Sequence, residues 1–191
     1  QALRENPLDA VWTDQPPASV GAVREHPLAL AGQSAAEKRA RLAAHLQRAG
    51  ATASVITLAD SLSWLMNWRG ADIIRNPVVQ GFAILHDDAR LDLFLDPSKL
   101  AGIAEQPGVT RHAPDGFLPA LKALNGAVSF DAGTAPVAVK SALAQGVNLA
   151  DPCLMAKATK NPAELEGMRA AHRRDGAAMV EFLAWYDAQT L

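Results

Sequence analysis

Between residues 60 and 77 the chain collects the side chains best suited to meet a ligand or another protein surface. The run Asp60-Ser-Leu-Ser-Trp64-Leu-Met-Asn67-Trp68-Arg69-Gly-Ala-Asp72-Ile-Ile-Arg75-Asn76-Pro77 holds two Trp, two Arg, two Asn and two Asp in a segment that also carries Gly and Pro. A plain connection between two elements takes about four to six residues of turn chemistry. This one is longer and bears indoles, which offer broad apolar faces with a polar edge, and guanidiniums, which bind carboxylates through paired charge-assisted hydrogen bonds. Two uses are open: the indoles anchor the segment to the core, or they face a partner. Leu62 and Leu65 flank Trp64 in a short apolar run, so Trp64 is expected to point into the core.

Other catalytic signatures are absent from the sequence. There is no His-Glu-x-x-His, no Cys-x-x-Cys, no Walker loop and no Gly-x-Gly-x-x-Gly, which closes the common zinc and nucleotide routes. His26, His45, His86 and His112 are far apart in sequence and are read as surface or capping histidines. Ser61 and Ser63 have no base near them in sequence to activate a hydroxyl. A formal net charge of -2, with Lys and Arg scattered evenly, provides no basic stripe to track phosphates, so nucleic acid is not an expected partner. The single Cys153 excludes an internal disulfide and fits a reducing, cytoplasmic setting. No run approaches the roughly 18 apolar residues that a membrane span requires. The chain starts at Gln1 rather than Met, and is expected to be part of something longer.

The elements that must position these residues read as an alternating α/β pattern. Residues 1–32 carry Pro7, Pro16, Pro17 and Pro27 with no sustained period, as expected of an extended linker or arm. Ser34 to Ala49 is a helix stopped by Gly50. Residues 53–58, 81–86 and 91–95 are strands, the last two joined through Asp87-Asp88 in a hairpin. Helical segments over 97–104, 117–124, 136–143 and 152–158 alternate with extended ones over 109–112, 127–131 and 147–149. At 191 residues with 49% hydrophobic content, one core with appendages is the expected scale. The order implies a mixed sheet covered by helices, with one adjacent antiparallel pair.

Asn161-Pro-Ala-Glu164 opens a final helix with a capping residue, a proline in the first turn and a carboxylate three residues after the cap. Leu165, Met168, Met179, Phe182, Leu183 and Tyr186 recur at helical spacing, and His172 and Asp175 lie within the same face. Ionisable groups on an apolar stripe need partners. The expectation is that they bond to each other or to backbone at a packed interface between domains, rather than act in catalysis.

These segments, in this order, resemble a known family. Asp60-Ser-x-x-Trp64-Leu-x-Asn67-x-Arg69-Gly-x-Asp72, followed by Asn76-Pro77 and Phe82-Ala-Ile-Leu, resembles the middle domain of the three-domain Xaa-Pro aminopeptidases, or aminopeptidases P. Lys160-Asn-Pro-Ala-Glu164-Leu-Glu-Gly-Met-Arg169-x-x-His172-x-x-Asp175-Gly-Ala resembles the segment leading into their catalytic domain. Asp9-Ala-Val-Trp12 and Gly32-Gln-Ser-Ala-Ala-Glu37-Lys38 resemble the link between their first two domains, although Gln15-Pro16 stands where an Arg-Pro pair is expected.

The resemblance implies a creatinase/prolidase amino-terminal fold, which is ribonuclease-H-like, and three regions: a linker over 1–32, a middle α/β domain over 33–159 and the first helix of a catalytic domain over 160–191. It implies a parent metallopeptidase that removes an amino-terminal residue preceding proline, using two bridged divalent metals, usually manganese, held by two Asp, one His and two Glu of a pita-bread domain. None of those five ligands falls in this chain, which is expected to be inactive alone, with no catalytic or metal residue of its own. Trp68, Arg69, Asp72, Arg75 and Asn76 become candidates for lining the substrate site or docking the catalytic domain. A homodimer is one assembly open to such a parent. The alternative reading is a noncatalytic peptide- or protein-binding module on the same fold.

Overall fold

A computed structural model describes residues 6–189; residues 1–5 and 190–191, at the two ends of the regions expected as linker and final helix, lie outside the described residues. The frame is a six-stranded mixed sheet in the order β6-β5-β4-β2-β7-β8. Its strands are β2 (Ala53–Ile56), β4 (Phe82–His86), β5 (Leu91–Phe94), β6 (Val109–His112), β7 (Val128–Phe130) and β8 (Gly146–Asn148). β4 runs antiparallel to both β2 and β5, whereas β5–β6, β2–β7 and β7–β8 are parallel pairs. The hairpin read at residues 87 and 88 is present, with Ala89 taking φ of 70° in its turn.

Strand alternation builds two cores, one on each face of the sheet. Ile56, Ala83, Leu85, Leu91 and Leu93 face one side. There they meet Leu42 and Leu46 of α3 (Ala35–Arg48), Leu62, Leu65 and Met66 of α4 (Ala59–Met66), and Cys153 of α7 (Cys153–Ala158). Val55, Ile84, Phe94, Val128 and Phe130 face the other side and pack against Phe117 and Leu121 of α5 (Phe117–Ala123) and Val139 of α6 (Val137–Ala142). α3 begins with a full capping box between Ser34 and Glu37.

The segment expected as an extended linker or arm packs on this body from Gly21 onward. Val23 is buried, β1 (Arg24–Glu25) pairs antiparallel with β3 (Trp68–Arg69), and Ala31 of α2 (Leu28–Ala31) is buried. The close approach explains a glycine: a Cβ at Gly21 would lie 2.5 Å from the Ala71 carbonyl carbon. Further out, α1 (Pro7–Val11) has no buried residue.

The last helix, α8 (Pro162–Asp187), has the predicted cap: Asn161 Oδ1 accepts from Glu164 N at 3.0 Å and the Glu164 carboxylate accepts from Asn161 N at 2.9 Å. Asn161 Nδ2 also donates to Ala31 O at 2.7 Å, tying the helix start to α2. Beyond residue 171 every described residue of α8 is exposed. Phe182 is 53% exposed and Trp185 59%, and the Phe182 ring centroid lies 5.9 Å from that of Trp185 and 6.4 Å from that of Tyr186.

Candidate functional site

Asn67 organises the Trp/Arg segment. It caps α4 in the left-handed region, φ 54° and ψ 47°, which Asn tolerates better than most residues. Its Nδ2 donates to Gln33 O at 2.8 Å, its Oδ1 accepts from Lys38 Nζ at 2.6 Å and its carbonyl accepts from His26 N at 2.6 Å. The linker, the approach to α3, α3 itself and α4 thus meet at one residue.

Trp68 departs from expectation, and Trp64 meets it only in part: it packs against the first core from the groove side. Trp68 is 1% exposed and packs in the first core, so it presents no platform to a ligand. Trp64 is only partly buried and walls a groove. The cause is helical geometry: Leu62, Leu65 and Met66 define the inward face of α4, and Trp64 lies about 200° around the axis from Leu62. The Lys38 ammonium sits 4.3 Å from the Trp64 ring centroid, in cation–π range, and the Arg41 guanidinium 5.8 Å away.

Of the five candidate residues, Arg69 alone lines this groove, a cavity of about 600 Å³ between the α/β body and the start of α8. It is half-buried, donates from Nη1 to Trp68 O at 2.9 Å, and has no carboxylate within 4 Å among the described residues. Asp72 serves the framework instead. Its carboxylate is fully covered, accepts from Gly21 N at 3.0 Å and Gln80 N at 2.7 Å, and lies 3.0 Å from the nearly buried Lys99 Nζ. Arg75, with φ of 65°, and Asn76 stand exposed on a turn away from the groove.

The groove is predominantly cationic. Lys38, Arg69, Lys160 and Arg174 line it beside the imidazole of His26, as does Lys157, which is paired with Asp60; Glu164 is the remaining acid, one of its oxygens held by the helix cap, and its charge acts on Arg69 and Lys38. Burial pushes the Lys38 amine down to about 8, with Arg69 and Arg41 adding to the fall and Glu164 opposing it. Burial also lowers the His26 pKa, helped by Arg69 and Lys38. For Asp72, burial alone would raise the pKa. Bonds from the Gln80 amide and Lys99 outweigh that and hold the carboxyl below its ordinary value.

His172 and Asp175 do not meet each other. The His172 ring donates from Nδ1 to Met168 O at 2.8 Å, one turn back on its own helix, and both residues are exposed. The expected packed face is therefore uncovered along this part of α8.

Another histidine cluster escaped the sequence reading. His86 Nε2 and His112 Nε2 each lie 2.8 Å from one oxygen of Asp92, so two histidines read as surface or capping residues share a carboxylate. Burial works against the charged Asp92, yet its bonds to His112 and His86 hold its pKa below the ordinary value. Strand register was the signal: Asp92 pairs with Ile84 and Thr110, which puts His86 and His112 on diagonals of the same sheet face. Among the described residues, no three His, Cys, Asp or Glu side chains gather where they could hold a metal ion. Ser63 Oγ donates to Ala59 O at 2.7 Å and accepts from Val79 N at 2.8 Å, a framework role.

This sheet, the Asn67 junction and the capped α8 define a known class. Residues 14–164 match the creatinase/prolidase N-terminal domain, and the chain belongs to that family. Among curated relatives, a probable Xaa-Pro aminopeptidase P of Aspergillus niger is 35% identical over 99% of this chain, and an aminopeptidase P1 of Lotus japonicus is 31% identical over 97%. The chain spans 33% and 35% of those two relatives, about a third of their length. Among solved structures, the X-prolyl aminopeptidase of Caenorhabditis elegans superposes with a TM-score of 0.86 at 27% identity, covering 97% of this chain and 32% of that one. It is described as a cytosolic enzyme with a di-nuclear active site.

Proposed function

We propose that this chain is the noncatalytic middle portion of a metal-dependent aminopeptidase that releases an amino-terminal residue preceding proline. The supporting observation is one of extent: likeness to Xaa-Pro aminopeptidases runs through nearly the whole chain yet occupies about a third of each relative. The two divalent ions, manganese by resemblance, belong in this reading to other parts of the parent, and no step of the reaction is assigned to residues on this chain. A cytoplasmic location follows the description of the worm enzyme.

The role assigned to the chain is positional. Asn67 and Asp72 lock the Trp/Arg segment against the linker, so that Arg69 and Trp64 face one groove at the root of α8. Through that face the domain positions the catalytic domain and helps line the peptide site. Substrates are peptides with proline in the second position.

Comparing peptides tests this reading. The full-length parent with manganese should hydrolyse an Xaa-Pro peptide and leave the matched Xaa-Ala peptide intact. Equal rates on the two, or no hydrolysis of either, would contradict the assignment and favour a noncatalytic peptide-binding module.

A further inference from the structure

The chain has six asparagines, and at five of them the following backbone nitrogen is blocked or the carboxamide is engaged. Asn6, Asn76 and Asn161 precede proline, whose nitrogen carries no hydrogen. Asn67 bonds through its side chain to Gln33 O and Lys38 Nζ and is followed by the buried Trp68. Asn148 Oδ1 accepts from Ala132 N at 3.0 Å, and the Leu149 amide after it is bonded to Phe130 O at 3.1 Å.

Asn125 differs on each count. It is exposed and precedes Gly126, whose amide has no hydrogen-bond acceptor among the described residues. Its side chain is held only by a 3.4 Å bond from Nδ2 to Ala123 O, at the long limit of such contacts. With no Cβ on Gly126, nothing shields that nitrogen from the neighbouring carboxamide. The fold itself requires the glycine: φ is 81°, and a Cβ there would lie 2.8 Å from Thr52 Cγ2. The same peptide also sits inside a clamp. Thr52 Oγ1 reaches Asn125 O at 3.0 Å and Ala127 O at 3.2 Å, and Thr52 N donates to Ala127 O at 2.8 Å. These bonds join the start of β2 to the entry of β7, at the end of β2 opposite to Asp60 and the groove.

We propose that Asn125–Gly126 is a site of spontaneous deamidation and backbone rearrangement, which converts this surface loop into an isoaspartyl site. The Gly126 nitrogen loses its proton to solvent and attacks Asn125 Cγ. The N–Cγ bond forms as the Cγ–Nδ2 bond breaks, and ammonia leaves with a proton. Water then opens the resulting succinimide at one of its two carbonyls. Attack at Cγ gives Asp; attack at the main-chain carbonyl carbon of residue 125 gives isoaspartate, in which the chain runs on through Cβ and Cγ. The isoaspartyl form turns the carbonyl that Thr52 holds into a free carboxylate and adds a backbone carbon inside the clamp, so the entry to β7 loosens.

The segment Ala123–Lys140, which trypsin releases, carries Asn125 as its one asparagine, so mass spectrometry of that peptide follows the site. In the 191-residue chain kept warm at mildly alkaline pH, it should show the amide-to-acid mass change about tenfold faster than the Asn67 or Asn148 peptides. The product should divide into Asp and isoaspartyl forms, and the latter should accept a methyl group from S-adenosylmethionine when an isoaspartyl methyltransferase is added. Asn125→Gln should abolish all of these signals. In the purified isoaspartyl form, the Thr52 amide should exchange about tenfold faster than in fresh protein. Persistence of Asn125 in the folded chain while the same peptide converts in urea would overturn the proposal. So would equally fast conversion of Asn67 or Asn148, or a product that is Asp without isoaspartate, which would mean direct hydrolysis instead of cyclisation. Unchanged Thr52 exchange in the isoaspartyl form would overturn the loosening of the clamp.

Discussion

Asp72 and Lys99 carry the sharpest stability claim at the scale of single residues. Replacing Asp72 by Ala leaves a nearly buried ammonium without its counter-charge and two backbone amides without acceptors. Breaking such a pair costs about 3–5 kcal/mol, which urea denaturation of the variant will read directly. The pH dependence has a fixed sign. Because the folded-state pKa of Asp72 lies below the unfolded value of about 3.9, its contribution is complete above that pH and is lost as pH falls through the lower folded value. Asp72→Asn should flatten that acid limb. Lys38 gives the same sign in a higher pH window, because folding penalises its charged form. Its amine, at about 8, is below the ordinary 10.5, so the unfolded chain binds more protons between these values and stability should rise with pH across the interval. A stability profile that keeps this rise in Lys38→Met would assign it to another group. Trp64 and Trp68 were the least legible residues, since their roles depend on where α4 stops. Once Asn67 turns left-handed, Trp68 enters a strand against Glu25 and is driven inward.

At the scale of elements, the legible features were those with local signals. The capping boxes of α3 and α8, the β4–β5 hairpin and the apolar strands follow from residues within a few positions of one another. β1 and β3 were not legible, because two-residue strands show no alternation and pair only after the linker has docked. The His86–Asp92–His112 cluster needed the register of three strands, one of them a parallel neighbour reached through a crossover. The α8 cap has a testable weight. Asn161→Ala removes both the acceptor for Glu164 N and the donor to Ala31 O, and should cost about 1–2 kcal/mol. The denaturant midpoint should fall while the slope stays constant; no change would mean that the helix start is held by its other contacts alone.

For the whole molecule, two cores lie on opposite faces of one sheet, and the features to which a function is proposed lie at the edge of that body. Three features converge there: the Asn67 junction, the cationic groove with Arg69, and an α8 whose far half meets nothing among the described residues. They suit a domain that orients another, and the comparisons connect that domain to Xaa-Pro aminopeptidases about three times its length. The central claim is that the chain carries none of the chemistry itself. The most direct measurement sets the purified 191-residue chain beside the full-length parent at equal concentration, with manganese and an Xaa-Pro peptide, and follows release of the first residue. The parent should turn over substrate and the chain should match the buffer blank; measurable turnover by the chain, abolished by a chelator, would contradict the account.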